Sequence, residues 1–160
     1  MKEITFKPIG RIRSQFKKPE GTPIQPPGAE GIEGKIELLP EFEEGLKDLE
    51  RFSHLILLYH CHLAGACSLR NKPFMEDKEH GVFAIRAPSR PNSIGLSVVR
   101  LDKIAGNILY IKDVDIVDGT PLLDIKPYVP EFDSRENVRI GWLEENVGKM
   151  HDKKDDGRFI

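Results

Sequence analysis

Short apolar stretches rich in Ile, Val, Leu and Phe follow one another along this chain, and none is long. Prolines and glycines, 12 and 14 of them in 160 residues, separate these stretches every few positions. Such punctuation breaks helices and ends strands, so the pattern predicts an antiparallel sheet or barrel of short strands. The predicted strands run from Ile4 to Ser14, Gly31 to Leu39, Leu55 to Leu63, Gly81 to Ala87, Ile94 to Leu101, Asn107 to Val117 and Leu122 to Ile125. Between the second and third, PEFEEGLKDLERF sets Phe42, Leu46 and Leu49 on one side at helical spacing with acidic residues opposite, which predicts one short amphipathic helix. Residues 15–31 and 64–81 carry neither period and read as surface loops, where function tends to reside. After Asp133 the pattern changes: Val138, Gly141 and Trp142 lead into EENVGKMHDKKDDGRF, which is nearly all polar and reads as a tail with a helical turn at most, frayed at its end. The domain reading is therefore a strand-rich unit over 1–133 followed by a short polar tail over 134–160.

Composition narrows the class. A chain of 18.1 kDa with 39% hydrophobic and 31% charged residues matches one soluble globular domain. Its longest apolar run, around Leu55 to Tyr59, is strand-sized, whereas a membrane helix needs roughly 20 apolar residues. The N-terminal MKEITFKPIG lacks the features of a secretory signal, and the expected location is the cytoplasm. Cys61 and Cys67, the only cysteines, have neither zinc-ribbon nor dithiol spacing. With a net charge of -2 and a pI near 6.2 there is no global basic field, so any contact with RNA has to be local.

Four segments could carry chemistry. In FAIRAPSRPNSIGLS, residues 83–97, Pro88 and Pro91 interrupt a strand and present Arg86 and Arg90, whose planar forks suit a carboxylate or phosphate; surface arginines on a rigid turn are the bland reading. In DVDIVDGTPLLDIKPYVP, residues 113–130, Asp113, Asp115, Asp118 and Asp124 crowd together. Their spacing does not fit a calcium loop, and the alternation of Val114, Ile116 and Val117 favours a plain hairpin with solvated carboxylates. In HLILLYHCHL, residues 54–63, His60 and His62 share one strand face with Cys61 on the other, which leaves a metal site weakly supported. In KKPEGTPIQPPG, residues 17–28, prolines hold the chain extended and Gln25 offers an amide able to read an adenine edge, although a proline-rich connection reads the same way. No glycine-rich fingerprint of the Rossmann type follows a strand, and GAEGIEG has the wrong spacing.

Taken in order, PIGRIRS (8–14), PIQP (23–26), FSHLILLYHCH (52–62), GVFAIRAPSRPNSIGLS (81–97) and VDGTPLLDIKPY (117–128) resemble the TrmO, or TsaA-like, tRNA methyltransferases. The resemblance covers nearly all of residues 4–133. It implies a compact antiparallel β-barrel with one or two short helices, dimeric in solution, with a non-Rossmann site for S-adenosyl-L-methionine. The implied reaction is methylation of N6 of threonylcarbamoyladenosine beside the anticodon of tRNA. Carried over residue by residue, the cofactor would lie against Ile24, Gln25, Pro26, the strand end His60, Cys61 and His62, Arg86, Leu96, and Lys126, Pro127 and Tyr128, with Asp118 near the same cleft. Where the family commonly has a Phe-His-Gln triplet, this sequence has Cys61, His62 and Leu63.

Methyl transfer from a sulfonium needs alignment more than covalent help, which suits a chain without a visible catalytic triad. The reading assigns Asp118 to assist proton loss from the acceptor nitrogen. Arg90, with Asn92 beside it, or Lys126 would meet the threonyl carboxylate, and Arg13, Lys17 and Lys18 the anticodon-stem phosphates. A noncatalytic RNA-binding barrel and a histidine-based metalloenzyme using His54, His60 and His62 are the rival classes.

Overall fold

The computed structural model describes residues 1–160. Its elements in chain order are β1 (Gly10–Arg13), β2 (Glu33–Leu38), β3 (His54–His60), β4 (Arg70–Asn71), β5 (His80–Gly81), β6 (Ile94–Ala105), β7 (Ile108–Lys112), β8 (Thr120–Pro127) and a single α-turn, α1 (Pro130–Asp133). Six strands close an antiparallel barrel in the order β1-β2-β7-β6-β3-β8, and β4 and β5 form a separate ladder. The mainly β, compact-barrel expectation is met.

The barrel closes because alternate residues of each strand are apolar and point the same way. Ile12, Ile36, Leu55, Leu57, Val99, Leu109 and Leu122 are fully buried together in one cluster. Burying a side chain of this kind contributes roughly 1.5–3 kcal/mol. Between β6 and β7 the hairpin turns at Gly106, φ 59°, and the Asn107 amide donates to the Leu38 carbonyl at 2.6 Å, tying that turn to β2.

Several local expectations differ from the structure. Pairing in the first strand starts only at Gly10, and Ile4 and Phe6 lie exposed with no strand beside them. The helix expected over 40–52 is two 3-10 turns, Pro40–Leu46 and Leu49–Arg51, because Asp48 at φ 65° reverses the chain and directs Leu46 into the core. Beyond Gly81 the chain winds into a 3-10 turn, Val82–Ala84, instead of a strand; Val82 donates to the Leu69 carbonyl and no neighbouring strand is available. The strand expected over 107–117 ends at Lys112. There Asp113, φ 67°, turns the chain and is gripped by Arg100 through hydrogen bonds of 2.6 and 2.9 Å.

The residues after Asp133 are not frayed. Phe159 packs with Ile85 and Ala87 in a second buried cluster, against which Phe74 and Trp142 lie. Trp142 donates its indole N–H to the Ala84 carbonyl at 2.8 Å, and Asp155 exchanges backbone hydrogen bonds with Gly21 and Thr22 at 2.8 Å. The two long loops and the tail thus form one layer over the ends of β3 and β6. No helix is long and apolar enough to cross a membrane.

Candidate active site

A cavity of about 610 Å³ lies between that layer and the barrel. The barrel contributes Tyr59 and Cys61 from the end of β3, Gly95 and Leu96 from the start of β6, and Asp115 from the stretch leading to β8. Ile24 and Gln25 come from the first loop, Arg86, Arg90 and Asn92 from the proline turns, and Phe159 from the tail. Prolines explain the wall at 86–93. Lacking N–H groups, Pro88 and Pro91 cannot extend the ladder, and the chain folds into tight turns, with Arg90 donating to the Pro88 carbonyl at 2.8 Å and Ile94 to the Asn92 carbonyl at 2.7 Å.

Two guanidinium groups face this space without an ion pair. Arg86 donates to the Gln25 side-chain carbonyl at 3.1 Å, locking the first loop to the proline turns. Arg90 folds back on its own turn, donating to the Ile85 and Ala87 carbonyls at 3.1 and 3.5 Å. Both therefore keep their charge available to an anion in the cavity.

A hydrogen-bonded chain runs through the opposite wall. The Tyr59 hydroxyl stands 2.9 Å from the Ser97 hydroxyl, which donates to Oδ1 of Asp115 at 2.7 Å. Burial pushes the Asp115 carboxyl up to about 7, partly offset by the Ser97 hydrogen bond and the charge of Arg86. Burial likewise pushes the Cys61 thiol up to about 11, with the Asp115 charge adding to it, and raises the Tyr59 phenol. Tyr59 and Cys61 are accordingly neutral at pH 7.

Of the residues expected at the site, Ile24, Gln25, Cys61, Arg86, Arg90, Asn92 and Leu96 line the cavity. Pro26 lies in an adjoining polar groove shared by Arg86, Leu96, His54 and Arg100. His60 and His62 flank the cavity without lining it, as strand alternation requires when Cys61 points in. The His62 ring sits 3.4 Å from the Thr120 hydroxyl and is pushed down by burial and by His60. Lys126, Pro127 and Tyr128 are not brought to the cavity within this chain: Lys126 pairs across from Ile56 and Pro127 from Leu55, at the far end of β3, and the Lys126 ammonium bonds Asp124 at 2.8 Å.

Asp118 is a correction. Its carboxylate accepts from Lys17 at 2.8 Å and from the Ser14 backbone at 3.1 Å, and it does not line the cavity. The Lys17 ammonium holds it below the usual carboxylate range, which makes it a poor proton acceptor. Arg13 and Lys17 pair with it or with Glu37, and Lys18 lies 3.8 Å from Glu20. These three bases line an exposed edge outside the cavity. Sequence reasoning missed Asp115, Ser97, Tyr59 and Phe159. For Asp115 a signal existed, since inward-facing Val114 and Ile116 put it on the opposite face, but nothing local said that another layer covers that face. No three His, Cys, Asp or Glu side chains converge as a metal cluster would require.

The family model for the tRNA-methyltransferase O N-terminal domain matches residues 11–134. The chain belongs to the TrmO N-terminal domain family. Within it, the chain is 64% identical over 157 residues to a Pyrococcus abyssi protein named a probable S-adenosyl-L-methionine-binding protein, spanning 98% of this chain and 85% of that one. It is 37% identical over 142 residues to the human tRNA (adenine(37)-N6)-methyltransferase, covering 84% of this chain but 32% of the human protein. The crystal structure of TrmO from Pseudomonas aeruginosa superimposes with a TM-score of 0.74 at 42% identity, over 88% of this chain and 63% of the other. This TrmO-family chain thus spans about a third of the human protein and under two thirds of the crystallised one.

Proposed function

We propose that this chain is an S-adenosyl-L-methionine-dependent methyltransferase that modifies N6 of adenine 37 in tRNA, with threonylcarbamoyladenosine as the substrate nucleotide. The observation that carries the reading is the cavity itself, whose volume suits a ligand of nucleoside size. Within a TrmO-type barrel it combines apolar walls, the Gln25 amide, two arginines without an ion pair, and the carboxylates of Asp115 and Asp155. Relatives named as S-adenosylmethionine-binding proteins and tRNA adenine methyltransferases support it.

The donor set suits the cofactor. Gln25 presents donor and acceptor groups to an adenine edge and Arg86 a positive fork to an amino-acid carboxylate. When bound, S-adenosylmethionine supplies an electrophilic methyl group. Ile24, Leu96 and Phe159 exclude water around it, and Arg90 with Asn92 receives the threonyl carboxylate of the acceptor. Lys17 and Lys18 meet anticodon-stem phosphates from outside the cavity. The enzyme works in the cytoplasm as a homodimer, which gives Lys126, Pro127 and Tyr128 a place at the cavity of a second copy. Light scattering should then give twice the 18.1 kDa chain mass.

Incubation with radiolabelled S-adenosylmethionine tests the reaction, using tRNA that carries or lacks threonylcarbamoyladenosine. Label only in the first establishes both reaction and nucleotide. Label in unmodified tRNA would move the substrate to plain adenosine, and label in neither would remove the tRNA reading.

A further inference from the structure

Two aspartates line the cavity, one on the tail and one on the barrel side. Asp155, from the tail, accepts the Gly157 backbone N–H at 2.7 Å, while its own backbone holds Gly21 and Thr22, so it organises the layer. Asp115 faces the cavity from the barrel, and the single side chain that donates to it is Ser97, itself 1% exposed. Behind Ser97 stands the Tyr59 hydroxyl. The barrel therefore fixes one carboxylate oxygen and leaves the other without a side-chain partner.

We infer that Asp115 accepts the proton released from the acceptor nitrogen during methyl transfer, with Ser97 and Tyr59 as positioning residues that hold its carboxylate at the cavity wall. This rests on the methyltransferase reading above. The nitrogen's electron pair forms the new N–C bond as the C–S bond breaks with its pair going to sulfur, and the N–H proton passes to Asp115. One positive and one negative charge disappear together, so the product complex holds a neutral thioether and a neutral carboxylic acid. The proton then leaves to water through the cavity opening. Net charge separation never grows during the step, which favours it in a site of low polarity.

The surroundings of Asp115 agree with that role. Tyr59 on β3 and Cys61 just after it are neutral at pH 7, and the positive groups nearby are Arg86 and Arg90 on the proline turns. With its carboxyl at about 7, Asp115 is poised near the working pH, where a general base combines adequate basicity with an adequate ionised fraction.

Single-turnover methyl transfer across pH 5.5–9 tests the assignment, with cofactor binding followed in parallel by calorimetry. Wild-type protein should show a rate rising with pH and levelling above a midpoint of about 7. Asp115→Asn should bind S-adenosylmethionine yet lose about 100-fold or more in rate, the scale of a general base. Ser97→Ala removes a hydrogen bond that favours the ionised form, so its midpoint should move to higher pH with the rate recovering near pH 9. A purely structural Ser97 would instead lower the rate equally at every pH. An Asp115→Asn protein with the wild-type rate, or a Ser97→Ala profile lowered without displacement, overturns the role while leaving the methyltransferase reading intact. Wild-type protein that labels no tRNA overturns that reading and this role with it. Should Asp115→Asn fail to bind cofactor, the Ser97→Ala profile decides.

Discussion

The ring of Tyr59 occupies the space where a side chain on Gly95 would begin. The two residues are direct cross-strand partners in β3 and β6, and a Cβ on Gly95 would stand 2.5 Å from Cζ and 2.8 Å from Cδ2 of that ring. Gly95 therefore lets Tyr59 lie close enough to β6 to reach Ser97. Gly95→Ala should displace the ring, cost about 1–3 kcal/mol as an overpacked site does, and slow methyl transfer with it. Tyr59→Phe keeps the packing and loses one hydrogen bond, so it should cost about 1 kcal/mol. Denaturant midpoints and single-turnover rates of the two variants check both statements.

Holding Asp115 in the cavity wall has a cost that pH exposes. Its folded pKa, about 7, lies above that of an unfolded aspartate. Between those values the folded state binds more protons than the unfolded one, so this group's contribution to stability falls as pH rises from about 4 to 7. Asp115→Asn should stabilise the protein at pH 8 and change little at pH 4. Denaturant unfolding at the two pH values gives the comparison, and a loss of stability at pH 8 would contradict the burial argument.

Asp118 shows the opposite sign. Its folded pKa is depressed by Lys17, so its contribution is present above the unfolded value, about 4, and disappears as pH falls through the folded one. With Lys17 largely exposed, that contribution should stay below about 1 kcal/mol. Asp118→Asn should loosen the chain near Phe16, shown by faster hydrogen exchange there, and leave the single-turnover rate within about twofold. A drop of the size expected of a general base would restore Asp118 to the chemistry.

Phe159 joins the tail to the cavity. It is buried against Ile85 and Ala87, with Phe74 meeting it edge-on at 5.0 Å between ring centroids. Phe159→Ala should cost about 3–5 kcal/mol in that layer, make the tail a target for limited proteolysis and weaken cofactor binding. The barrel core, a separate cluster, should keep its circular dichroism.

Arg90 should distinguish the modified nucleotide from the bare one. Replacing it by Met removes a guanidinium that lies beside Asn92 in the cavity without an ion pair. Binding of tRNA carrying threonylcarbamoyladenosine should weaken more than binding of unmodified tRNA, read by filter binding at fixed salt. Equal losses would mark a backbone contact instead.

Much of the barrel was legible in the chain. The alternation at Leu55 and Leu57, at Val99 and at Leu109 and Ile111 gives β3, β6 and β7 because one face of each strand must be dry. At the site, Arg86 and Arg90 were readable for a local reason, because prolines forbid a ladder and present them, whereas Cys61 came with the family resemblance and the strand pattern itself pointed to His60 and His62. Asp118 was misplaced because a carboxylate's partner can lie anywhere along the chain, and its partner Lys17 stands 101 residues away.

By itself, then, the sequence determined what depends on neighbours in the chain: strand periodicity, proline-limited turns, and the chemistry offered by each segment. Only the tertiary structure decided that Asp115 is covered, because burial there comes from loops and from a tail whose largely polar end hid the anchoring role of Phe159. Desolvation is a property of everything packed around a group. It separated Asp115, poised near neutral pH in the cavity, from Asp118, neutralised by a lysine at the edge.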